Sequence, residues 1–182
     1  MPETPDQSTG ADSDRMGCSD CERLRNGLLA QPVNALTSLA FVGAAGLVLA
    51  RCGGPGARRR EVVAYSTMLA LVGAGSVAFH GPQPPGAKAM HDLPIPMLLA
   101  LAVGTPLLRS SRGNVPAPGW STRRGAALAG VAGAAGLAYA GGRTGTRTCD
   151  PDSLLQLHGA WHILAALGFV VVADIVYGGS DA

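Results

Sequence analysis

Five apolar stretches, each nearly bare of charge, leave few folds open to this 182-residue chain. The first covers about 32–50, inside a charge-free run bounded by Arg25 and Arg51, and the others cover about 62–80, 92–108, 125–140 and 154–175. A helix crossing a bilayer needs about 20 largely apolar residues, with a range of about 17–25. Charged residues make up 14% of the chain, against about 25% in an average soluble domain, and they gather in short clusters between the stretches. The pattern predicts an all-α, polytopic transmembrane bundle of about five spans over residues 26–178. A polar, acidic segment, 1–25, precedes it and is expected to be disordered, and a short tail, 179–182, follows. An ordinary cytosolic enzyme, a disordered chain and a nucleic-acid module are excluded, and a net charge of +2 gives no ground for a polyanion partner.

The third stretch is short, 16 residues from Leu93 to Leu108, so it is expected to recruit His91 and Asp92 into its first turn. The fourth, GAALAGVAGAAGLAYAGG, is weakly hydrophobic but rich in the small residues that let membrane helices approach closely. Gly43, Gly46, Gly73, Gly75 and Gly130 read as helix-contact positions, and the fourth span would also suit a homo-oligomer. Residues 1–30 hold no secretory pattern, because no apolar core follows a basic start. The first span is therefore expected to serve as its own targeting anchor.

Arginine placement predicts orientation. Segments 51–61 and 109–124 each carry four arginines, whereas the opposite loops, 80–91 and 141–153, hold only Lys88, Arg143 and Arg147. The positive-inside rule makes the first pair cytoplasmic. Five spans then put the N-terminus outside and the C-terminus inside, in what is expected to be a bacterial plasma membrane.

Ionisable residues inside a span are costly and are functional candidates by default. The four histidines are His80 at the end of the second span, His91 at the start of the third, and His158 and His162 in the first two turns of the fifth. Along an up-and-down path all four fall in one layer, on the extracytoplasmic side. His158 and His162 are four apart, so their rings leave one helical face about 5–6 Å apart, a spacing that suits two imidazoles on one zinc. Ser76 lies one turn deeper than His80, and Asp92 follows His91. Three histidines with an open fourth position are the set of a catalytic zinc site, with Asp92 as proton acceptor for the bound water and Ser76 to orient it. The bland readings are weaker together than singly. One interfacial histidine is usually a solvated polar group, and His91 alone reads that way. In a soluble helix an i, i+4 pair is more often coincidence than a metal site, but in a span the cost of burial shifts that balance.

These residues resemble a known family. GAGSVAFH, then HDLP, then HGAWH near the C-terminus are similar to the signature of the alkaline ceramidases, which belong to the CREST group of membrane hydrolases together with the progestin and adipoQ receptors. The N-terminal CERLRNGLLAQPVNALTS is similar to the ceramidase stretch in which Cys-Glu precedes the first helix. The resemblance implies a shortened, bacterial-type member in which His80, His158 and His162 bind zinc, Ser76 and Asp92 contact the zinc-bound water, and ceramide or a related lipid amide is cleaved. It also implies a disulfide between Cys21 and Cys149, with Cys18 as competitor, and offers Glu22 and Asp20 to a calcium ion. The chain departs from the family in two ways. Only one span fits between Leu108 and Leu154 where the family has three, and Gln31 stands where the calcium site has a glutamate. Other classes also place histidines in one layer: a membrane metal or proton carrier, a haem protein, or a zinc-binding receptor without turnover.

Overall fold

Residues 15–55, 58–111 and 121–178 are described by a computed structural model, and all regular elements among them are helices. The tail positions 1–14 and 179–182 and Arg112 lie outside the described residues. The helices are α1 (Pro32–Thr37), α2 (Leu39–Cys52), α3 (Arg59–His80), α4 (Ala87–Asp92), α5 (Pro94–Ser111), α6 (Thr122–Gly141) and α7 (Leu157–Val176).

Local chemistry accounts for the boundaries. Pro32 occupies the first turn of α1, where its missing N–H costs nothing. At the α1–α2 junction the hydroxyl of Thr37 donates to Val33 O (2.8 Å) and that of Ser38 to Asn34 O (2.7 Å), side-chain bonds that compete with the helical ladder. Ser38 keeps helical dihedrals, so Pro32–Cys52 is one 21-residue apolar rod. Pro94, which cannot donate back to Met90 O, interrupts the rod Ala87–Leu108 at Leu93. The third span thus begins five residues before its predicted start and carries His91 and Asp92 within its helical part. The last helix begins at Leu157 rather than 154, and Leu154 and Leu155 project from the preceding loop.

Four of the rods, Pro32–Cys52, Arg59–His80, Ala87–Leu108 and Leu157–Val176, are long and apolar enough to cross a membrane. The fifth, α6, has 20 residues, about 30 Å by helical rise, and its abundant glycine and alanine make it less hydrophobic. The result is a helical bundle of about five spans, with the composition of an integral membrane protein.

Helices α2, α3 and α7 form the centre. Phe41, Val48, Tyr65, Leu69, Leu98, Val170 and Ala173 pack into one apolar core, and the Tyr65 hydroxyl donates to Phe169 O (2.8 Å). Gly73 lies against Val42 and Phe41, so a methyl there would collide with α2, and one at Gly75 would strike the backbone at Met90. Gly43, Gly46 and Gly130, also expected at contacts, have open space instead. Helix α5 leans on α3, and α6 packs on α7; α5 and α6 have no comparable contact with each other.

The segment from Met16 to Gln31 runs across the histidine-bearing end. Ala30 N donates to Gly81 O and Gln31 N to His80 O, joining it to the end of α3. A disulfide between Cys21 and Cys149, a ladder-like pairing of Asp20 with Arg143, and a two-pronged Arg23–Asp152 ion pair join it to the loop before α7. Cys18 is exposed and outside the disulfide.

Candidate metal centre

His80 ends α3, and His158 and His162 open α7; because these helices are packed through α2 and α1, the three rings meet in one buried cluster. Ring centroids lie 5.2 Å apart for His80–His158, 5.2 Å for His80–His162 and 4.8 Å for His158–His162. One nitrogen from each falls within 4.8 Å of the other two. Three nitrogens held tetrahedrally at about 2.1 Å from zinc are about 3.4 Å apart, so rotation of the rings closes the gap. Two buried nitrogens of the trio make no hydrogen bond, His80 Nε2 and His158 Nδ1, the latter with Asp20 Oδ1 3.4 Å away. A buried polar atom left unpaired costs free energy, and an ion bound among the rings would satisfy it. The residues fit a metal, and the arrangement alone does not choose which one.

The surrounding shell is polar and buried. His80 Nδ1–H donates to Gln31 Oε1 (2.7 Å). His162 Nδ1 lies 3.2 Å from Thr37 Oγ1 and 3.4 Å from Ser38 Oγ, while its Nε2 lies 3.4 Å from Ser76 Oγ. Ser38 donates its single hydroxyl proton to Asn34 O, so Ser76 is the donor in the 2.8 Å bond between the two serines. Gly159, between the two histidines of α7, lets that helix approach Thr37 closely; a methyl there would sit 3.0 Å from its hydroxyl.

Of the five residues expected at the centre, Ser76, His80, His158 and His162 are brought together and Asp92 is not. Asp92 is half-exposed, with one oxygen on His91 Nδ1 (2.8 Å) and the other on Lys88 Nζ (2.7 Å). At the end of α4 it is bonded to these two neighbours and is not one of the three converging ligand side chains. His91 does reach the site. Its ring stacks on Phe79, 6.1 Å from His80, and lines the same cavity.

That cavity holds about 430 Å³ and opens beside His80 and His158, between the start of the third rod and α6. Phe79, Ile95, Tyr139 and Trp161 form its apolar wall, and Asp20 and Arg143 its polar rim. Asp20 Oδ1 accepts from Arg143 Nη1 (2.9 Å) and lies 3.4 Å from His158 Nδ1. Burial pushes the Asp20 carboxyl up to about 6, against the pull of Arg143 and His91.

The calcium expectation meets a different arrangement. Glu22 Oε1 accepts from Val33 N and Oε2 from Asn34 N, both at 2.8 Å, so this carboxylate caps the start of α1. Burial raises its pKa, opposed by those two amides and by Arg25. Asp20 turns to Arg143 and His158, and among the described residues the histidine trio is the one convergent group of three or more ligand side chains. Glu22 and Asp20 thus each face other partners in the described residues.

Gln31, Thr37, Ser38 and His91 escaped the sequence reading as parts of this centre. Nothing in their local spacing marks them, since each arrives through a contact with a distant helix.

No protein-family model, curated protein or solved structure matches the chain.

Proposed function

We propose that this protein is a zinc-dependent intramembrane amide hydrolase, cleaving ceramide or a related lipid amide with one water into a sphingoid base and a fatty acid. The observation that carries it is the buried convergence of His80, His158 and His162 beside a cavity with an apolar wall. The similarity of GAGSVAFH, HDLP and HGAWH to the ceramidase signature adds to it. When bound, zinc would polarise the amide carbonyl and lower the pKa of a coordinated water to about 7.

The chain's own groups supply the rest. Phe79, Ile95, Tyr139 and Trp161 offer hydrocarbon surface to an acyl or sphingoid chain, and Asp20 with Arg143 offers polar partners to a headgroup. The gap between α5 and α6 gives lipid a lateral way in. Ser76 Oγ, beside His162 Nε2, orients the attacking water. His91 is the cavity-lining proton acceptor, and Asp92, bonded to its Nδ1, holds the ring in place. Asp92 thereby keeps a part in catalysis, through His91. Arginine placement supports the extracytoplasmic side for this end, in what we take to be a bacterial plasma membrane, where the Cys21–Cys149 disulfide would persist.

One observation favours a second reading. Asp92 is exposed and paired with Lys88, and the buried carboxylate beside the trio, Asp20, is engaged with Arg143 and His158. A zinc-binding receptor without turnover would have that composition.

Metal content and fatty-acid release from a panel of ceramides, on the same purified samples, test both. Wild type is expected to hold zinc and hydrolyse at least one ceramide, and replacing all three histidines by alanine should abolish both. S76A and D92N should keep zinc and lose at least about 100-fold in turnover, the lower end of the range for general acid–base groups. Because the ligands must be neutral imidazoles, zinc and activity should fall together in acid. Hydrolysis undiminished in the triple variant would sink the enzyme reading. Zinc without hydrolysis of any lipid amide would transfer the conclusion to the receptor.

A further inference from the structure

We propose that Gln31 is a positioning residue of the metal centre, its carboxamide fixing His80 in the tautomer whose Nε2 faces the ion. The inference rests on the metal reading above and concerns how this chain presents one ligand.

Gln31 is fully buried, and every hydrogen-bonding atom of its side chain has a partner. The amide nitrogen donates to Gly17 O (2.9 Å) and Glu22 O (2.8 Å), and Oε1 faces His80 Nδ1 at 2.7 Å. Two carbonyls can only accept, so the NH₂ group must be the end that faces them, which settles the orientation of the amide. The oxygen that remains is also an acceptor, and it requires a proton on His80 Nδ1. A neutral imidazole protonated at Nδ1 carries its lone pair on Nε2. That nitrogen is the buried, partnerless one, next to the rings of His158 and His162.

The backbone reinforces the arrangement. Gln31 N donates to His80 O (2.7 Å), so side chain and main chain grip the same residue. Gly17 has φ +80°, and a side chain there would run into the Gln31 carboxamide. Glycine is thus required at position 17 both for its conformation and for the space it leaves. The N-terminal segment, held to the loop before α7 through Cys21–Cys149, reaches the ring of a histidine of α3 through this one side chain.

Gln83 provides a control. Its amide donates to Met16 O (2.7 Å) and Phe79 O (3.0 Å), tethering the same segment to the same helix end without touching a histidine. The test measures zinc affinity of purified full-length variants by competition with a chromogenic chelator. Gln31→Leu removes the acceptor and both donors, and should weaken zinc binding about 10–100-fold, the usual effect of removing a ligand's hydrogen-bond partner. Gln31→Glu keeps an acceptor on His80 while losing the donors; it should melt lower but bind zinc nearly as wild type. Gln83→Ala should also bind zinc nearly as wild type. Two-bond ¹H–¹⁵N spectra of metal-free wild type should show His80 protonated at Nδ1.

Unchanged zinc affinity in Gln31→Leu overturns the proposal alone, as does an equal loss in Gln83→Ala, which would mean that tethering is what matters. His80 protonated at Nε2 overturns it too, whether or not Gln31→Leu folds. Wild-type protein that binds no zinc at all removes the metal reading and this inference with it.

Discussion

The two ends of the bundle are built from the same helices by opposite rules. Toward one end α2, α3 and α7 meet through Val48, Tyr65, Leu69, Val170 and Ala173, an apolar contact closed off by the Arg51–Asp174 pair. Toward the other end the same three helices, with α1, bury Gln31, Asn34, Ser38, Ser76, His80, His158 and His162. Apolar packing within a bundle gains free energy as side chains interlock more closely with one another than with lipid. A buried polar layer gains little net and costs much where any member is unpaired. The histidine layer itself therefore contributes little to holding the helices together, a role the Cys21–Cys149 disulfide takes beside it, and its unpaired nitrogens call for a ligand. Stability and chemistry are separated along the length of each helix.

The sharpest way to break that separation is to remove one histidine by an apolar replacement. His162→Leu should abolish zinc binding, yet the metal-free protein should unfold within about 1 kcal/mol of wild type, because replacing a buried polar group by an apolar one of similar shape is near neutral. Its neighbours stay satisfied, since Thr37 and Ser38 donate to Val33 O and Asn34 O without help from the imidazole. Chelator-treated protein unfolded by denaturing detergent checks this, and a large loss of metal-free stability would show that the histidine layer is structural after all.

The reciprocal change is Leu69→Ala. Leu69 is fully buried among α2, α3 and α7, and truncating a core leucine costs about 2–5 kcal/mol. The same unfolding assay should register that loss while zinc stoichiometry and affinity at ordinary temperature stay near wild type. A mutant that loses zinc in proportion to stability would show that the ends are coupled.

The same division explains what the sequence disclosed. Hydropathy found the rods because a span must be apolar wherever lipid touches it, and it placed all the histidines at one level without reference to any contact. The pair His158 and His162 was legible from helical spacing alone. Junctions were less so: helix α4 forms where a loop was expected, since short turns carry no hydropathy signal of their own. The side chains around the ligands were the least legible. Gln31 and Ser38 matter because they face a helix far along the chain, and Asp92, a candidate from its depth and from HDLP, is bonded to His91 and Lys88, a pairing that depth alone does not disclose. Gly73 and Gly43 look alike in sequence, yet only Gly73 meets a neighbouring helix. Which face a helix buries was beyond the reach of composition.

The smallest effect should come from the ion pair at the apolar end. Arg51 Nη2 lies 2.8 Å from Asp174 Oδ2, a geometry that invites a large energetic role, and Cys52 Sγ lies 3.8 Å from the other oxygen. Arg51 is half-exposed and Asp174 a fifth exposed, so solvent and headgroups screen the attraction, and pairs of this kind contribute about 0–1 kcal/mol. Asp174→Asn keeps the shape and one of the two acceptor oxygens while removing the charge. It should lower stability by less than about 1 kcal/mol, with the difference shrinking further as salt is raised. A loss comparable to that of Leu69→Ala would mean that this end is held by charge as much as by packing, and the contrast between the two ends would then lie only in which polar groups each one buries.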